Sequence, residues 1–184
     1  MAAIYTENLS KAYSRYFSQT PETQALKGLN LEVREGETFG FLGPNGAGKT
    51  TTILLLLNLI RPTGGSARLF DRPAGEAAVH RRLGYLPESV NLHNYYTGRG
   101  LLEFYAALLG VPEPARTSRV TELLRLLNLE EAAGKSVSKY SKGMLQRLGF
   151  AQALLHDPDL LILDEPTASL DRWDARNSGT FSSP

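Results

Sequence analysis

The 184-residue sequence predicts an α/β core split by a helical insert. Three observations carry this expectation. Short apolar or alternating runs bounded by turn residues recur through residues 1–88. A glycine-rich bend at residues 43–50 joins one such run to a helical stretch. After an interval rich in helix formers, residues 89–156, Leu160–Leu163 forms a continuous apolar run bounded by acids, as a strand covered on both faces would.

Residues 4–9 read as a short strand, and residues 29–33 alternate apolar and polar with a period of two. The polar, turn-rich stretch from 11 to 23 reads as a loop. Glu35 and Gly36 signal a turn, after which residues 38–42 read as a buried strand. Residues 48–60 are apolar on every side, which suits a helix inside a core. Arg61, Pro62, Thr63, Gly64 and Gly65 stop it before a further strand at 66–70. Leu83–Leu86 is another short strand. Leu101, Phe104, Tyr105 and Leu108 recur at helical spacing, as do Val120, Leu123, Leu124 and Leu127; Leu145, Leu148, Gln152 and Leu155 mark a third helix. The expected organisation is one domain over 1–184: a core from 1–88 and 157–171 with its β subdomain, an insert at 89–156 and an irregular tail at 172–184.

Composition narrows the function classes. Twenty Lys and Arg against nineteen Asp and Glu leave a charge of +1, which argues against a basic nucleic-acid surface. The absence of cysteine excludes a disulfide framework, a cysteine zinc site and a thiol nucleophile. No apolar stretch approaches the length needed to span a bilayer, and polar residues stand where a signal peptide needs its apolar region. A cytoplasmic globular protein is expected.

Residues 43–50, GPNGAGKT, match G-x-x-x-x-G-K-[ST] between an apolar run and a helix. Gly43, Gly46 and Gly48 let the backbone wrap closely, so that successive N–H groups, with Pro44, Asn45 and Ala47 between them, form a nest for phosphate oxygens. The helix that follows adds the positive end of its dipole. Lys49 is expected to place its ammonium between β- and γ-phosphates, Thr50 to give its hydroxyl to Mg²⁺, and Thr51 to reach the α-phosphate side. A glycine-rich turn matching this pattern by chance in such a length has a frequency of roughly one in a hundred.

At the other end, residues 160–166, LLILDEP, put Asp164 at the carboxyl end of a buried strand. Ligands of open α/β sheets gather outside those ends, so Asp164 and the glycine loop can converge on one site. Asp164 would hold Mg²⁺ through water. Glu165, one residue on, is placed to orient and deprotonate a water aimed at a γ-phosphate. An acidic turn alone is a common way to end a strand; its pairing with the glycine loop is what points to metal.

The ordered set GPNGAGKT, YLPE, YSKGM, LLILDEP and ASLD resembles the ATP-binding subunit of ABC transporters, over residues 4–171. The resemblance implies a phosphate-loop ATPase core with an N-terminal antiparallel β subdomain, and ATP and Mg²⁺ as cofactors. YSKGM, residues 140–144, is similar to the family's signature loop, with Lys142 and Met144 departing from its usual form. It implies that Ser141 and Gly143 clamp the γ-phosphate held by a second ATP-binding subunit, identical or related, in a head-to-tail dimer. Physically, Ser141 suits an N-cap and the helix after it offers free N–H groups. Tyr13 corresponds to the aromatic that stacks on adenine, with Tyr16 and Phe17 as neighbouring alternatives. Glu88 stands where a glutamine usually touches Mg²⁺ and the attacking water, and adds a negative charge there. Asp171, with Ala168 and Ser169, matches the loop that crosses to the partner subunit.

The family carries a histidine about thirty residues beyond the glutamate, whereas His80, His93 and His156 all precede Glu165. The chain therefore reads as C-terminally shortened, with the last core strands missing and a sheet edge unpaired. Loss of a positioned proton-handling group, typically about 10²–10⁴-fold, makes hydrolysis hard to detect. The leading expectation is an ATP-hydrolysing subunit that powers a membrane exporter, peripheral to the inner face of the membrane through a membrane-embedded partner. Residues 89–109 would dock there, with Tyr95 and Tyr96 as candidate docking aromatics, although core packing is their more ordinary role. The alternatives are a remnant that binds ATP without productive hydrolysis and a non-transport ATPase of the same superfamily. The second is disfavoured, because Lys49 and Asp164 are only 115 positions apart and leave no room for a long coiled coil.

Overall fold

A computed structural model describes residues 1–13 and 23–166. Its contacts divide into a first unit, Met1–Leu83, and a second that starts at Gly84.

The first unit is built on two long antiparallel strands, β1 (Ala2–Tyr13) and β2 (Thr23–Arg34). Both outrun the sequence expectation: the stretch from Lys11 to Tyr13 is strand, paired with residues 23–26 of β2, and not loop. The cause is a set of long-range bonds that no local pattern advertises. Thr63 N–H donates to Ser10 O at 2.9 Å, and Ala12 N–H donates to Thr63 Oγ1 at 3.1 Å. Where β1 bulges, Thr6 is buried and satisfied on both sides, donating to Leu29 O and accepting from Leu31 N–H, each at 3.0 Å.

Helix α1 (Lys49–Leu56) follows the glycine bend and buries Ile53, Leu55 and Leu56. It stops four residues short of the expected end. Asn58 takes a left-handed φ of 52°, a conformation asparagine tolerates, and Leu59 N–H turns back to Leu54 O at 2.9 Å. Strand β3 (Gly64–Leu69) then pairs with β1, and the two-residue β4 (Arg72–Pro73) with β3, giving the order β2-β1-β3-β4. Leu9, Leu26 and Leu55 form the heart of this layer, with Leu29, Ile60 and Ala67 packed against them. A single helical turn, α2 (Ala77–His80), precedes β5 (Leu83–Leu86), which begins at the boundary of the units.

Residues 38–42 are not the buried strand that their composition predicts. No strand among the described residues pairs with them, and Leu42 is 94% exposed. An apolar run acquires strand geometry only from a partner ladder, so composition misleads here.

The second unit is mostly helical. Helix α3 (Gly98–Leu108) starts at Thr97, whose side chain accepts from Gly100 N–H; α4 (Glu113–Leu126) follows Pro112; α5 (Lys142–Leu154) starts at Ser141. The expected α4 stripe, Val120, Leu123, Leu124 and Leu127, is buried in one core with Leu148 and Leu155 of the third stripe. On α3 Leu101 is buried as expected, but Leu102 and Ala106 join it in place of Phe104 and Leu108, which are exposed. Strand β6 (Leu160–Leu163) forms a two-stranded sheet with β5. Of its four residues only Ile162 is fully buried, so coverage on both faces, as the apolar run predicted, is incomplete.

Tyr95 lies 93% exposed, which rules out core packing for its ring. Tyr96 is half covered by stacking on Phe104, centroids 5.5 Å apart.

Candidate functional site

In the first unit the phosphate-loop residues close on themselves. Ala47 N–H donates to Pro44 O at 3.1 Å, and Gly46 and Gly48 adopt φ of 83° and 88°. Gly48 is the more constrained, because a Cβ there would stand 2.6 Å from the carbonyl oxygen of Ala25 on β2. Glycine at 48 is thus required twice, for its left-handed backbone and for close approach of the helix start to the sheet. Gly48 O anchors the first turn, accepting from Thr52 N–H at 2.8 Å and Thr52 Oγ1 at 2.9 Å.

Helix α1 has no side-chain cap and no acid in its own first turn, so the helix itself supplies no carboxylate to offset the positive end of its dipole. Lys49 folds back over the loop and donates to Gly43 O at 2.7 Å and Pro44 O at 3.3 Å. Asn45 and Thr50 are exposed and Thr51 is half-buried. A cation, a capless helix start and two left-handed glycines on one bend form a cradle for an anion.

Tyr13 ends β1 opposite Thr23 and is 44% exposed as a residue. Sequence reasoning missed its neighbour Lys11, whose ammonium sits 5.1 Å from the ring centroid. The sequence reads residues 11–13 as loop, so the relation between Lys11 and Tyr13 emerges only once β1 runs on to Tyr13.

In the second unit, Asp164 N–H donates to Leu86 O at 2.9 Å, so the carboxyl ends of β5 and β6 meet. Asp164 directly follows β6 and is 4% exposed; Glu88, two residues beyond β5, and Glu165 are exposed. Glu165 holds a left-handed φ of 48°, uncommon for a residue with a long side chain. Burial, and then the Asp164 carboxylate, push the Tyr85 phenol above its usual range.

Ser141 and Gly143 open α5, where Ser141 Oγ accepts from Met144 N–H at 3.3 Å. Tyr140, just before them, is buried, donates to Ala132 O at 2.7 Å, and has its phenol pushed up by that burial. Gly98 makes room for it, since a Cβ at 98 would collide with the Tyr140 hydroxyl. Tyr13 and residues 43–51 thus lie in the first unit; Glu88, Ser141, Gly143, Asp164 and Glu165 lie in the second. Tyr16, Phe17, Ala168, Ser169 and Asp171 fall outside the described residues.

Comparison with known proteins gives these features a context. The family model described as ABC transporter matches residues 26–168. An uncharacterized ABC transporter ATP-binding protein of Nostoc sp. is 46% identical over 172 residues, which cover 92% of this chain and 51% of that protein. The bacitracin transport ATP-binding protein of Bacillus licheniformis is 40% identical over 91% of this chain and 52% of its own length. The Nod factor export ATP-binding protein I of Burkholderia pseudomallei is 44% identical over 79% of this chain and 49% of its own. The chain therefore spans about half the length of the curated relatives it matches. Among solved structures, the ATP-binding cassette MJ0796, a dimer in a post-hydrolysis state with ADP and Pi, aligns with a TM-score of 0.81 at 26% identity. That alignment covers 92% of this chain and 76% of the cassette. The sequence expectation of a phosphate-loop α/β fold agrees with this match, and the chain belongs to the ABC transporter family of ATP-binding proteins.

Proposed function

We propose that this chain binds ATP·Mg²⁺ and forms part of an ATP-hydrolysing subunit that drives a membrane exporter through head-to-tail closure of two such subunits. The observation that carries the reading is the bend at residues 43–50, with Lys49 held over its own loop carbonyls. Those bonds are ones that an incoming phosphate can replace with stronger, charge-assisted contacts. The residues fit the ligand: the glycines carry no Cβ atoms to crowd a phosphate, Lys49 supplies the cation, and Thr50 is a solvent-exposed hydroxyl residue.

In this reading Lys49 and the N–H groups of residues 43–51 grip the phosphates, and Tyr13 stacks on adenine. Thr50 in the first unit, and Asp164 and Glu88 in the second, are the residues that would hold the metal, directly or through water. Bound Mg²⁺ neutralises phosphate charge. Glu165 orients and deprotonates the attacking water. Ser141, Gly143 and the N-terminus of α5 serve the triphosphate held by the second subunit, and Lys142 adds positive charge there. The solvent-exposed Tyr95, beside the Tyr96–Phe104 stack, supports docking of a membrane-embedded partner on the second unit. The relatives named for bacitracin transport and Nod factor export support an export role at the inner face of the membrane.

Titration calorimetry of the 184-residue chain with ATP·Mg²⁺ tests the central assignment. Binding is expected, and Lys49→Ala should weaken it by about 10–100-fold, the scale of a hydrogen bond to a charged group. Unchanged affinity in that variant removes the phosphate-loop reading.

A further inference from the structure

The far end of β1 is fastened to the turn that ends the α1 stretch. Lys11 Nζ donates to Arg61 O at 2.8 Å, Ala12 N–H to Thr63 Oγ1 at 3.1 Å, and Thr63 N–H to Ser10 O at 2.9 Å. The same Lys11 ammonium lies 5.1 Å from the ring centre of Tyr13, a half-exposed residue. Lys11 thus spans two things at once: the backbone just beyond the helix that starts at the phosphate loop, and the face of an aromatic ring. A cation held within about 6 Å of a ring is attracted to its negative face. Lys11 is long and flexible, but its bond to Arg61 O gives that charge a definite position.

We infer that Lys11 is a positioning residue for nucleotide binding: it braces one face of Tyr13 and leaves the other for the base. The inference rests on the proposed role of Tyr13 as the adenine platform. With Thr63 Oγ1 donating to Ser10 O at 3.3 Å, four hydrogen bonds make the brace, and Thr63 is its second member. By tying residues 10–12 to residues 61–63, they couple the position of the ring to α1, whose first turn carries Lys49. Binding of the phosphates does not need the brace; binding of the base does. The contribution therefore belongs to ligands that carry a purine, and a polyphosphate without a base is indifferent to it.

The test titrates the 184-residue chain with ATP·Mg²⁺ and, in parallel, with inorganic tripolyphosphate·Mg²⁺. Lys11→Met is expected to weaken ATP about two- to fivefold, the scale of an exposed cation–π contact, and to leave tripolyphosphate unchanged. Lys11→Arg, which keeps the charge and a donor, should restore ATP affinity. Thr63→Val should act in the same direction as Lys11→Met. Tripolyphosphate binding also reports that each variant is folded. Equal loss of both ligands, or no loss of ATP in Lys11→Met while Tyr13→Ala still loses it, overturns the inference alone. If Tyr13→Ala leaves ATP affinity unaltered, the platform reading falls and the role of Lys11 falls with it.

Discussion

Replacing Gly48 by alanine tests how the phosphate loop is held. Gly46 and Gly48 share nearly the same left-handed backbone, at φ 83° and 88°. Their surroundings differ: a Cβ at 46 would meet nothing within 4 Å, whereas one at 48 would sit 2.6 Å from Ala25 O. That separation is about 0.8 Å inside ordinary contact, and the obstacle is strand backbone rather than a side chain able to swing away. Gly46→Ala thus incurs only the left-handed strain, about 1 kcal/mol. Gly48→Ala adds overpacking against β2, about 1–3 kcal/mol more. At about 2–4 °C per kcal/mol for a chain of this size, the expected losses in melting temperature are about 3 °C and about 10 °C. Differential scanning calorimetry of the two variants beside the parent gives the comparison. ATP titration should show a greater loss in Gly48→Ala, because relief of the clash moves the start of α1. Equal melting temperatures for the two variants would refute the close-approach argument.

Three further outcomes follow from other contacts. Tyr140→Phe removes the 2.7 Å bond to Ala132 O, which still accepts from Lys135 N–H at 2.9 Å, and urea unfolding should show a loss of about 0.5–1.5 kcal/mol. Ser141→Ala removes the cap on Met144 N–H and should cost about 0.5–1 kcal/mol in the same assay. The Tyr85 phenol ionises above its ordinary value of 10 in the folded chain, so the unfolded chain loses that proton first. Its contribution to stability is complete below about pH 10 and is lost as pH rises through the folded value. Asp164→Asn should move the Tyr85 step in a phenolate absorbance titration downward but not fully back, because burial is the larger cause; an unmoved step contradicts the Asp164–Tyr85 interaction.

Much of this molecule is legible in the order of its residues. The helices α3, α4 and α5 announce themselves through apolar spacing, since each must turn one stripe toward a shared core. Leu83–Leu86 and Leu160–Leu163 stand out as short, mostly apolar runs between turn residues. Lys49, Thr50, Asp164 and Ser141 stand out in the sequence because the chemistry proposed for them requires particular residue types at particular offsets. The misjudged places share another physics. The far ends of β1 and β2 are strand because they pair with each other and because Ala12 is tied to Thr63, fifty-one residues away, and a window along the chain sees neither contact. The exposed run 38–42 shows the reverse: strand composition without the partner that makes a strand.

The local chemistry of the anion cradle, its glycines, its lysine and the helix behind it, is thus a property of contiguous sequence. Why Gly48 tolerates no side chain, why Lys11 stands over Tyr13 and why Tyr140 needs Gly98 are properties of folding. Each depends on atoms from distant parts of the chain reaching van der Waals or hydrogen-bond range, and those distances exist only once the backbone has closed on itself.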